Sequence, residues 1–189
     1  MPNIDFSRNH FVNAEVPIRP NGTNNSYGCF NRLKKRYGVY VFHGRDDRIV
    51  RYVGSAGTIG NLNRDVSARL KQHYTRSKTG ATFYRKWLAA EHPCAPRDEG
   101  HLFAQHAEFL AQFGRWSLDT VTIADHSAVE LVPAVEHALI HALRPKYNGH
   151  LEDAGEMPAQ LSARVTWCAG RTVVEVCSGR DFRTLGAGL

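Results

Sequence analysis

The chain has 189 residues, which suits a single domain, and 42% of them are hydrophobic, enough to bury a core and exclude a disordered tail. No apolar run approaches the roughly 18 residues that cross a bilayer, and the N-terminus lacks the pattern of a secretory signal, so we expect a cytoplasmic protein with no membrane partner. The net charge of +6 conceals an asymmetry, because residues 31–90 hold 14 basic and three acidic residues, a net charge of +11, whereas residues 91–189 carry −5. The basic half predicts a polyanionic partner, although a solvated basic face is the alternative.

The first half of the chain contains signals for an arm, a hairpin and two helices. Residues 1–36 are polar and rich in turn formers, which predicts an irregular N-terminal arm. The runs YGVYVFH and RIVRYVG flank the polar turn GRDD, so we expect strands at about 38–43 and about 49–53. Apolar spacing then predicts one helix in NRDVSARLKQHY and another in TFYRKWLAAEH.

The second half contains signals for two more helices, one strand and a terminal hairpin. Aromatic residues at helical spacing predict a helix over about 100–113. WSLDTVTIA predicts a third strand, and SAVELVPAVEHALIHAL predicts the longest helix, ending before Pro145. The alternating runs ARVTWCAG and RTVVEVCS predict a C-terminal β-hairpin. The four cysteines are scattered without a Cys-x-x-Cys pair, so we expect reduced thiols rather than disulfides or a structural zinc site.

Several short motifs occur in an order that resembles the GIY-YIG nuclease superfamily. They are Gly38-Val39-Tyr40, Tyr52-Val53-Gly54, Ala68-Arg69-Leu70 with His73, the Glu-x-x-Leu-Ile pattern that begins at Glu136, and Pro145 with Asn148. The resemblance covers about residues 37–149 and implies an α/β (α+β) fold with a GIY-YIG core. That core would be a small three-stranded antiparallel sheet flanked by helices, between an N-terminal arm at 1–36 and a C-terminal extension at 150–189 with its β-hairpin.

Tyr40 and Tyr52 are candidates for activating water, the first as general base and the second as a positioning group. Alternation along a strand allows both side chains to face one cleft across the hairpin. A tyrosine has a pKa of about 10, so it becomes a useful base only where nearby cations favour the phenolate. Two strand tyrosines that pack as ordinary cross-strand aromatics are the structural alternative.

Arg69 and His73 lie four residues apart, so one helix face can present both to the same phosphate. The guanidinium would stabilise charge that develops on phosphorus, and the histidine would tune Tyr40 or bind phosphate. A solvated helix surface is the alternative for the pair taken alone.

Glu136 is the candidate metal ligand, because it shares a helix face with Leu139, Ile140 and Leu143 and so points toward the core. A carboxylate there is costly unless it is paired or binds a metal, and one carboxylate with waters and substrate oxygens suits Mg²⁺. Mn²⁺ is the expected substitute. A buried ion pair with an arginine, for which Arg69 is a candidate, remains the structural alternative.

Two further positions complete the comparison with the superfamily. Asn148 resembles the asparagine that contacts the phosphate or orients the metal site, although a turn-forming asparagine before Gly149 is an ordinary feature. Many relatives carry lysine directly after the second motif, where this chain has Ser55. His73 and Lys71 are the candidates to replace that lysine.

The resemblance implies a Mg²⁺-dependent endonuclease that acts on double-stranded DNA and leaves 5′-phosphate and 3′-hydroxyl ends. A type II restriction endonuclease acting as a homodimer is the first expectation. A structure-specific or mobile-element endonuclease is the alternative, followed by a catalytically silent DNA-binding module. The basic residues expected to contact DNA are Lys34, Lys35, Arg36, Lys71, Arg76, Lys78, Arg85 and Lys86.

Overall fold

Two antiparallel sheets and several helices make up the chain, which is a mixed α+β protein in the computed structural model. The structure describes residues 6–13, 28–47, 49–57, 64–74, 82–94, 105–123, 129, 131–148, 161–168, 171–178 and 181–185. The larger sheet contains β1 (Phe6–Val12), β2 (Tyr37–Gly44), β3 (Val50–Ala56) and β4 (Trp116–Ile123), in the order β1-β4-β2-β3. The smaller sheet contains β5 (Leu161–Cys168), β6 (Arg171–Ser178) and β7 (Asp181–Leu185), in that order.

Four helices lie within the stretches that the sequence predicts, although the third and fourth begin later in the described residues than the predicted starts at about 100 and at Ser127. Residues 100–104, 127–128 and 130 of those predictions lie outside the described residues. The helices are α1 (Val66–Tyr74), α2 (Thr82–Glu91), α3 (His106–Phe113) and α4 (Leu131–Leu143), and a 3₁₀ helix covers Gly28–Leu33. Pro133 falls in the first turn of α4, where its missing N–H costs no intrahelical hydrogen bond. No helix in the described ranges combines the length and apolar character that crossing a bilayer requires.

The predicted hairpin is formed by β2 and β3, and both strands are longer than the sequence indicated. Its turn is closed by the Gly44 N–H, which donates to the Ile49 carbonyl at 2.9 Å. The Asp47 carboxylate accepts the Ile49 N–H at 2.9 Å, as an aspartate in a turn commonly does. The GRDD segment therefore sets the pairing of the two strands.

The prediction of a three-stranded sheet with an irregular arm before it was wrong, because the first 36 residues contribute a fourth strand. β1 pairs antiparallel with β4, in a register that places Phe11 opposite Leu118. Its sequence FSRNHFV has no strong alternation, and its hydrogen-bond partner lies more than 100 residues further along the chain. The 3₁₀ helix from the same segment buries Phe30 and Leu33 completely.

An aromatic core covers the face of the larger sheet that carries Tyr40, Phe42 and Tyr52. The ring of Phe83 on α2 stacks on Tyr52 with centroids 4.4 Å apart and on Phe42 at 5.2 Å. Leu70 on α1 is fully buried in the same cluster. Burial of these large rings fixes α1 and α2 against the two strands of the hairpin.

The outer edge of β3 is covered by the segment that follows α4. The N–H groups of Lys146 and Tyr147 donate to the carbonyls of Val50 and Arg51 at 3.2 and 2.8 Å. An edge strand otherwise exposes unpaired backbone groups, so residues 146–148 protect this one. They also bring the end of α4 to the strand that carries Tyr52.

The C-terminal segment forms the predicted hairpin as β5 and β6, and a third strand extends it. β7 pairs antiparallel with β6, with Phe182 opposite Cys177. The sequence DFRTL is short and mostly polar, which is why alternation did not indicate it. β5 contacts α4, so the smaller sheet adjoins the helix that carries Glu136.

Candidate active site

The register of the hairpin brings Tyr40 and Tyr52 to the same face of the sheet. Tyr40 lies opposite Gly54 and Phe42 opposite Tyr52, and directly opposed residues share a face. The two tyrosine rings have centroids 6.3 Å apart, and both side chains are buried. The alternation of the sequence predicted this common orientation.

The glycines of the two strand motifs are needed for space. A Cβ at Gly54 would lie 2.5 Å from the Tyr40 hydroxyl and 2.6 Å from Cζ, so the ring of Tyr40 passes directly over β3. A Cβ at Gly38 would lie 2.1 Å from the Val121 carbonyl oxygen, and φ there is +153°, which L side chains rarely adopt. The first glycine of the pattern permits close strand packing, and the second lets Tyr40 reach the edge of the sheet.

His73 on α1 contacts the hydroxyl of Tyr40. Tyr40 Oη and His73 Nε2 are 2.8 Å apart, which is hydrogen-bonding distance. Burial, reinforced by the charge of Arg69, lowers the pKa of His73 to about 3, so the imidazole is neutral near neutral pH. A neutral imidazole can accept the phenolic proton at Nε2. Of the two predicted roles for His73, this buried position favours tuning Tyr40 over binding phosphate.

Tyr40 is a phenol in the free protein rather than a phenolate. Burial raises the pKa of Tyr40 well above 10 and the neighbouring Tyr52 adds to the rise, while Arg69 lowers it through its charge and a hydrogen-bonding contact. Burial likewise raises the pKa of Tyr52 to about 12, with Glu136 adding to the rise. The requirement for a cation-stabilised phenolate is therefore not met, because the loss of hydration outweighs the field of Arg69.

Arg69 is the cation that faces both tyrosines. It is partly buried, and its guanidinium donates to the Gln72 side-chain oxygen at 3.0 Å. Its charge lowers the pKa values of Tyr40, Tyr52 and Glu136, which places it within electrostatic reach of the whole group. The bond to Gln72 and the contact with Tyr40 use only part of its five donors.

Glu136 on α4 contacts Ser55 of β3 and lies within electrostatic reach of Tyr40 and Tyr52. Its Oε2 accepts a hydrogen bond from the Ser55 hydroxyl. Burial raises the pKa of the Glu136 carboxyl, opposed by the Ser55 hydrogen bond and by the charges of Lys86 and Arg69. Within the described residues, Glu136 makes no salt bridge with Arg69, so the buried ion pair that was the structural alternative is not present there.

The donor set around Glu136 fits a magnesium ion held by a single protein carboxylate. In the described part of the chain no hydrogen bond reaches Oε1, so that oxygen is free to bind a cation. Among those same residues, no three His, Cys, Asp or Glu side chains come together, which argues against an all-protein cage. Mg²⁺ is commonly bound by one or two carboxylates with waters and substrate oxygens completing its octahedron. The rings of His137 and His141, next to this glutamate on α4, have centroids 4.3 Å apart and are tilted by 43°.

Asn148 is committed to the edge of β3. Its Oδ1 accepts the Val53 N–H at 2.8 Å, and its Nδ2 donates to the Val53 carbonyl at 2.7 Å. The side chain therefore imitates a strand partner, and this use of both amide groups differs from the phosphate or metal contact that the resemblance implies. Asn148 supports the site by fixing the strand between Tyr52 and Gly54.

Lys86 and Ser55 belong to the site in ways that sequence reasoning missed. Lys86 was assigned only to the DNA surface, yet its ammonium lies 5.8 Å from the centroid of the Tyr52 ring and donates to the Asn148 carbonyl at 3.1 Å. The spacing of Phe83 and Lys86, three residues apart on α2, was the available signal. Lys71, a candidate to replace the absent lysine, is partly buried on α1, and its role in the site stays a prediction.

The other basic residues are divided between surface and partly buried positions. Lys34 and Lys35 are exposed at the end of the 3₁₀ helix, and Arg85 is exposed on α2. Arg36 and Lys71 are partly buried, whereas Arg76 and Lys78 lie outside the described residues. The 3₁₀ helix contacts α1, so several of these cations adjoin the helix that carries Arg69.

The site thus combines a phenol, a neutral imidazole, a guanidinium and a carboxylate around the edge of β3. Together these groups can accept a proton, stabilise an anion and bind a hard cation. Comparisons of the chain with protein-family models, curated proteins and solved structures found no match. Its function must therefore be inferred from this chemistry and from the sequence motifs.

Proposed function

We propose that this protein is a Mg²⁺-dependent endonuclease of the GIY-YIG type that hydrolyses phosphodiester bonds in double-stranded DNA. The observation that carries the proposal is the 2.8 Å contact between Tyr40 Oη and His73 Nε2, within the field of Arg69 and close to Glu136. A phenol joined to a neutral imidazole forms a path for one proton. An aromatic core with a purely structural role does not require such a path, nor a carboxylate and a guanidinium next to it.

Tyr40 and His73 together would activate the attacking water. As the water oxygen bonds to phosphorus, its proton passes to Tyr40 Oη, and the phenolic proton passes to His73 Nε2. The bond from phosphorus to O3′ breaks, O3′ takes a proton from solvent, and His73 later releases its own to solvent. The products carry a 5′ phosphate and a 3′ hydroxyl.

Substrate binding would make His73 a better base. The charge of Arg69 contributes to the low pKa of His73, second only to burial. A phosphate at Arg69 would neutralise that charge and so raise the pKa of the histidine at the moment a proton acceptor is needed. The relay therefore needs no tyrosinate, which the raised pKa of Tyr40 disfavours.

Arg69 and Glu136 would stabilise the negative charge that develops in the reaction. Arg69 would act at the oxygens on phosphorus, and Glu136 would act at the leaving oxygen through the metal ion. The guanidinium can hold two nonbridging oxygens through its planar fork. Glu136 would hold the ion through Oε1, with Ser55 fixing the carboxylate. When bound, Mg²⁺ supplies charge neutralisation next to the leaving group.

The basic half of the chain supports a nucleic-acid substrate. The excess of +11 lies in residues 31–90, which include both tyrosines and the Arg69 helix. Phosphate neutralisation releases counterions, so binding should weaken steeply with added salt.

We infer a homodimer that acts as a type II restriction endonuclease, because one active site per chain cuts both strands of a palindrome when two chains bind by two-fold symmetry.

The experiment is a digest of supercoiled plasmid with the purified protein and Mg²⁺, followed by sequencing of the cut ends. Discrete bands with 5′ phosphates support a site-specific endonuclease, whereas nicking or a smear supports a structure-specific or mobile-element enzyme. Binding to DNA without any cleavage in Mg²⁺ or Mn²⁺ would contradict the proposal and favour a silent DNA-binding module.

A further inference from the structure

Lys86 extends from α2 to the edge of β3, where its ammonium is held between two fixed groups. Its Nζ donates to the Asn148 carbonyl at 3.1 Å and lies 5.8 Å from the centroid of the Tyr52 ring. Asn148 is itself tied to both backbone groups of Val53. The ammonium is therefore placed at a defined point beside Tyr52.

Packing of α2, rather than a chance surface contact, sets this position. Phe83, one helical turn before Lys86, stacks on Tyr52 at 4.4 Å and is fully buried. Residues three apart on a helix share a face, so Lys86 projects toward the same tyrosine. The side chain is partly buried, which removes part of the solvent screening that weakens exposed lysines.

The two cations of the site lie on different helices that pack on the same pair of tyrosines. Arg69 lies on α1 four residues before His73, whose Nε2 is 2.8 Å from the Tyr40 hydroxyl. Lys86 lies on α2, with its Nζ 5.8 Å from the centroid of the Tyr52 ring. A phosphate bound beside the two tyrosines would therefore meet one cation from each helix.

We propose that Lys86 is a second phosphate-binding residue of the active site, which holds a nonbridging oxygen of the scissile phosphodiester beside Tyr52 while Arg69 holds another on the side of Tyr40. An ammonium has three N–H donors, and the Asn148 carbonyl takes one of them. The contacts of the described residues leave the other two for an anion. This inference rests on the proposed function, since it assigns Lys86 to the same reaction.

A purely structural role for Lys86 makes a different prediction. If the ammonium only ties α2 to Asn148, its removal lowers the melting temperature and leaves the affinity for phosphate unchanged. The variant Lys86→Met separates the two roles, because it keeps the apolar stem and removes the charge. Lys146→Met is the matched control, since Lys146 also lies over a tyrosine ring, at 5.3 Å from Tyr147, but is more exposed and pairs with Glu91.

The first measurement follows the lysine side-chain signals by NMR in the full chain while inorganic phosphate is added. The Lys86 signal, identified by its loss in Lys86→Met, should shift with saturation. Phosphate affinity should fall at least about tenfold in Lys86→Met and stay unchanged in Lys146→Met. A Lys86 signal that does not respond to phosphate would overturn the inference, whatever the cleavage assays give.

The second measurement is single-turnover cleavage of DNA with saturating protein. We expect a rate about 10²-fold lower for Lys86→Met, partial recovery in Lys86→Arg and the wild-type rate for Lys146→Met. Equal rates for the two methionine variants would also overturn the inference. If the wild type binds DNA but never cleaves it, the proposed nuclease function fails, and the phosphate titration alone decides whether Lys86 binds phosphate.

Discussion

Two histidines with polar partners lie against opposite faces of the larger sheet, His43 on β2 and His73 on α1, and the two pairs differ in what surrounds them. On one face, His43 contacts the Asp119 carboxylate through Nε2 at 3.0 Å and the Gly44 carbonyl through Nδ1 at 3.2 Å. Both ring nitrogens of His43 are engaged, so this pair stabilises the strands that carry it. On the other face, the Tyr40–His73 pair adjoins Arg69 and Glu136, which keep donors and an acceptor for a ligand.

We conclude that a buried histidine indicates chemistry only when the groups around it keep hydrogen-bonding or metal-binding atoms that the protein itself does not use. Asp119 is nearly all buried and paired, as a structural carboxylate must be. Glu136 is buried enough for its pKa to rise, yet it has only the Ser55 hydroxyl as a hydrogen-bond partner among the described residues. Burial of the charged Glu136 carboxylate therefore destabilises the folded state at neutral pH, and binding of a metal ion and DNA would offset that cost.

The largest effect that separates the two faces is expected for Glu136→Gln. Loss of the proposed metal ligand should lower the cleavage rate at least about 10³-fold, while DNA binding in Ca²⁺ persists. Because the pKa of Glu136 is raised by folding, its contribution to stability is full at low pH and is lost as pH rises through that pKa. The amide has no such cost, so the melting temperature at pH 7 should match or exceed that of the wild type.

Glu108→Gln is the matched control for that variant. Glu108 is exposed on α3 and pairs with His92 rather than with a residue of the candidate site. The Glu108→Gln protein should cleave DNA at the wild-type rate. Wild-type cleavage by Glu136→Gln, or a lower melting temperature for it, would contradict the account of this carboxylate.

An intermediate effect is expected for Gly54→Ala. The added Cβ would stand 2.5 Å from the hydroxyl of Tyr40, whose ring is completely buried, so the ring or β3 must shift. Displacement of Tyr40 from His73 should lower the single-turnover rate about 10²-fold. Gly28→Ala provides the control, because a Cβ at Gly28 meets nothing within 4 Å. Equal rates for the two variants would show that the position of Tyr40 does not matter.

The smallest effect on cleavage is expected on the other face, for Asp119→Asn. This change removes the charged partner of His43 and should lower the free energy of unfolding by about 1–3 kcal/mol, measured by urea denaturation. The cleavage rate per folded molecule should remain at the wild-type value. A tenfold fall in that rate would place Asp119 in the reaction and remove the distinction between the faces.

The sequence was most informative where structure is decided locally. The helix of Val66 and Leu70 and the hairpin around the GRDD turn follow from spacing and turn chemistry, and alternation placed Tyr40 and Tyr52 on one face. β1 escaped prediction because its pairing with β4 is a property of the folded sheet rather than of its own residues.

The details of the candidate site depended on tertiary contacts that no spacing encodes. Asn148 was read as a phosphate or metal contact, and only the path of the chain past β3 commits its amide to Val53. The condition set for Tyr40 as a base, that nearby cations favour its phenolate, took account of charge and not of the burial that outweighs it. Lys86 was one of eight candidate DNA contacts until the packing of Phe83 directed it to Tyr52.

The central claim, that Tyr40 and His73 carry the proton from the attacking water, is tested most directly by the single-turnover cleavage rate of Tyr40→Phe. Tyr74→Phe is the matched control, since its buried hydroxyl donates to the Asn13 side chain at 2.7 Å and has a structural role only. We expect Tyr40→Phe to lose about 10²- to 10⁴-fold in rate with its affinity for DNA in Ca²⁺ unchanged. Tyr74→Phe should lose stability and keep its rate per folded molecule. A Tyr40→Phe protein that cleaves as fast as Tyr74→Phe would contradict the account.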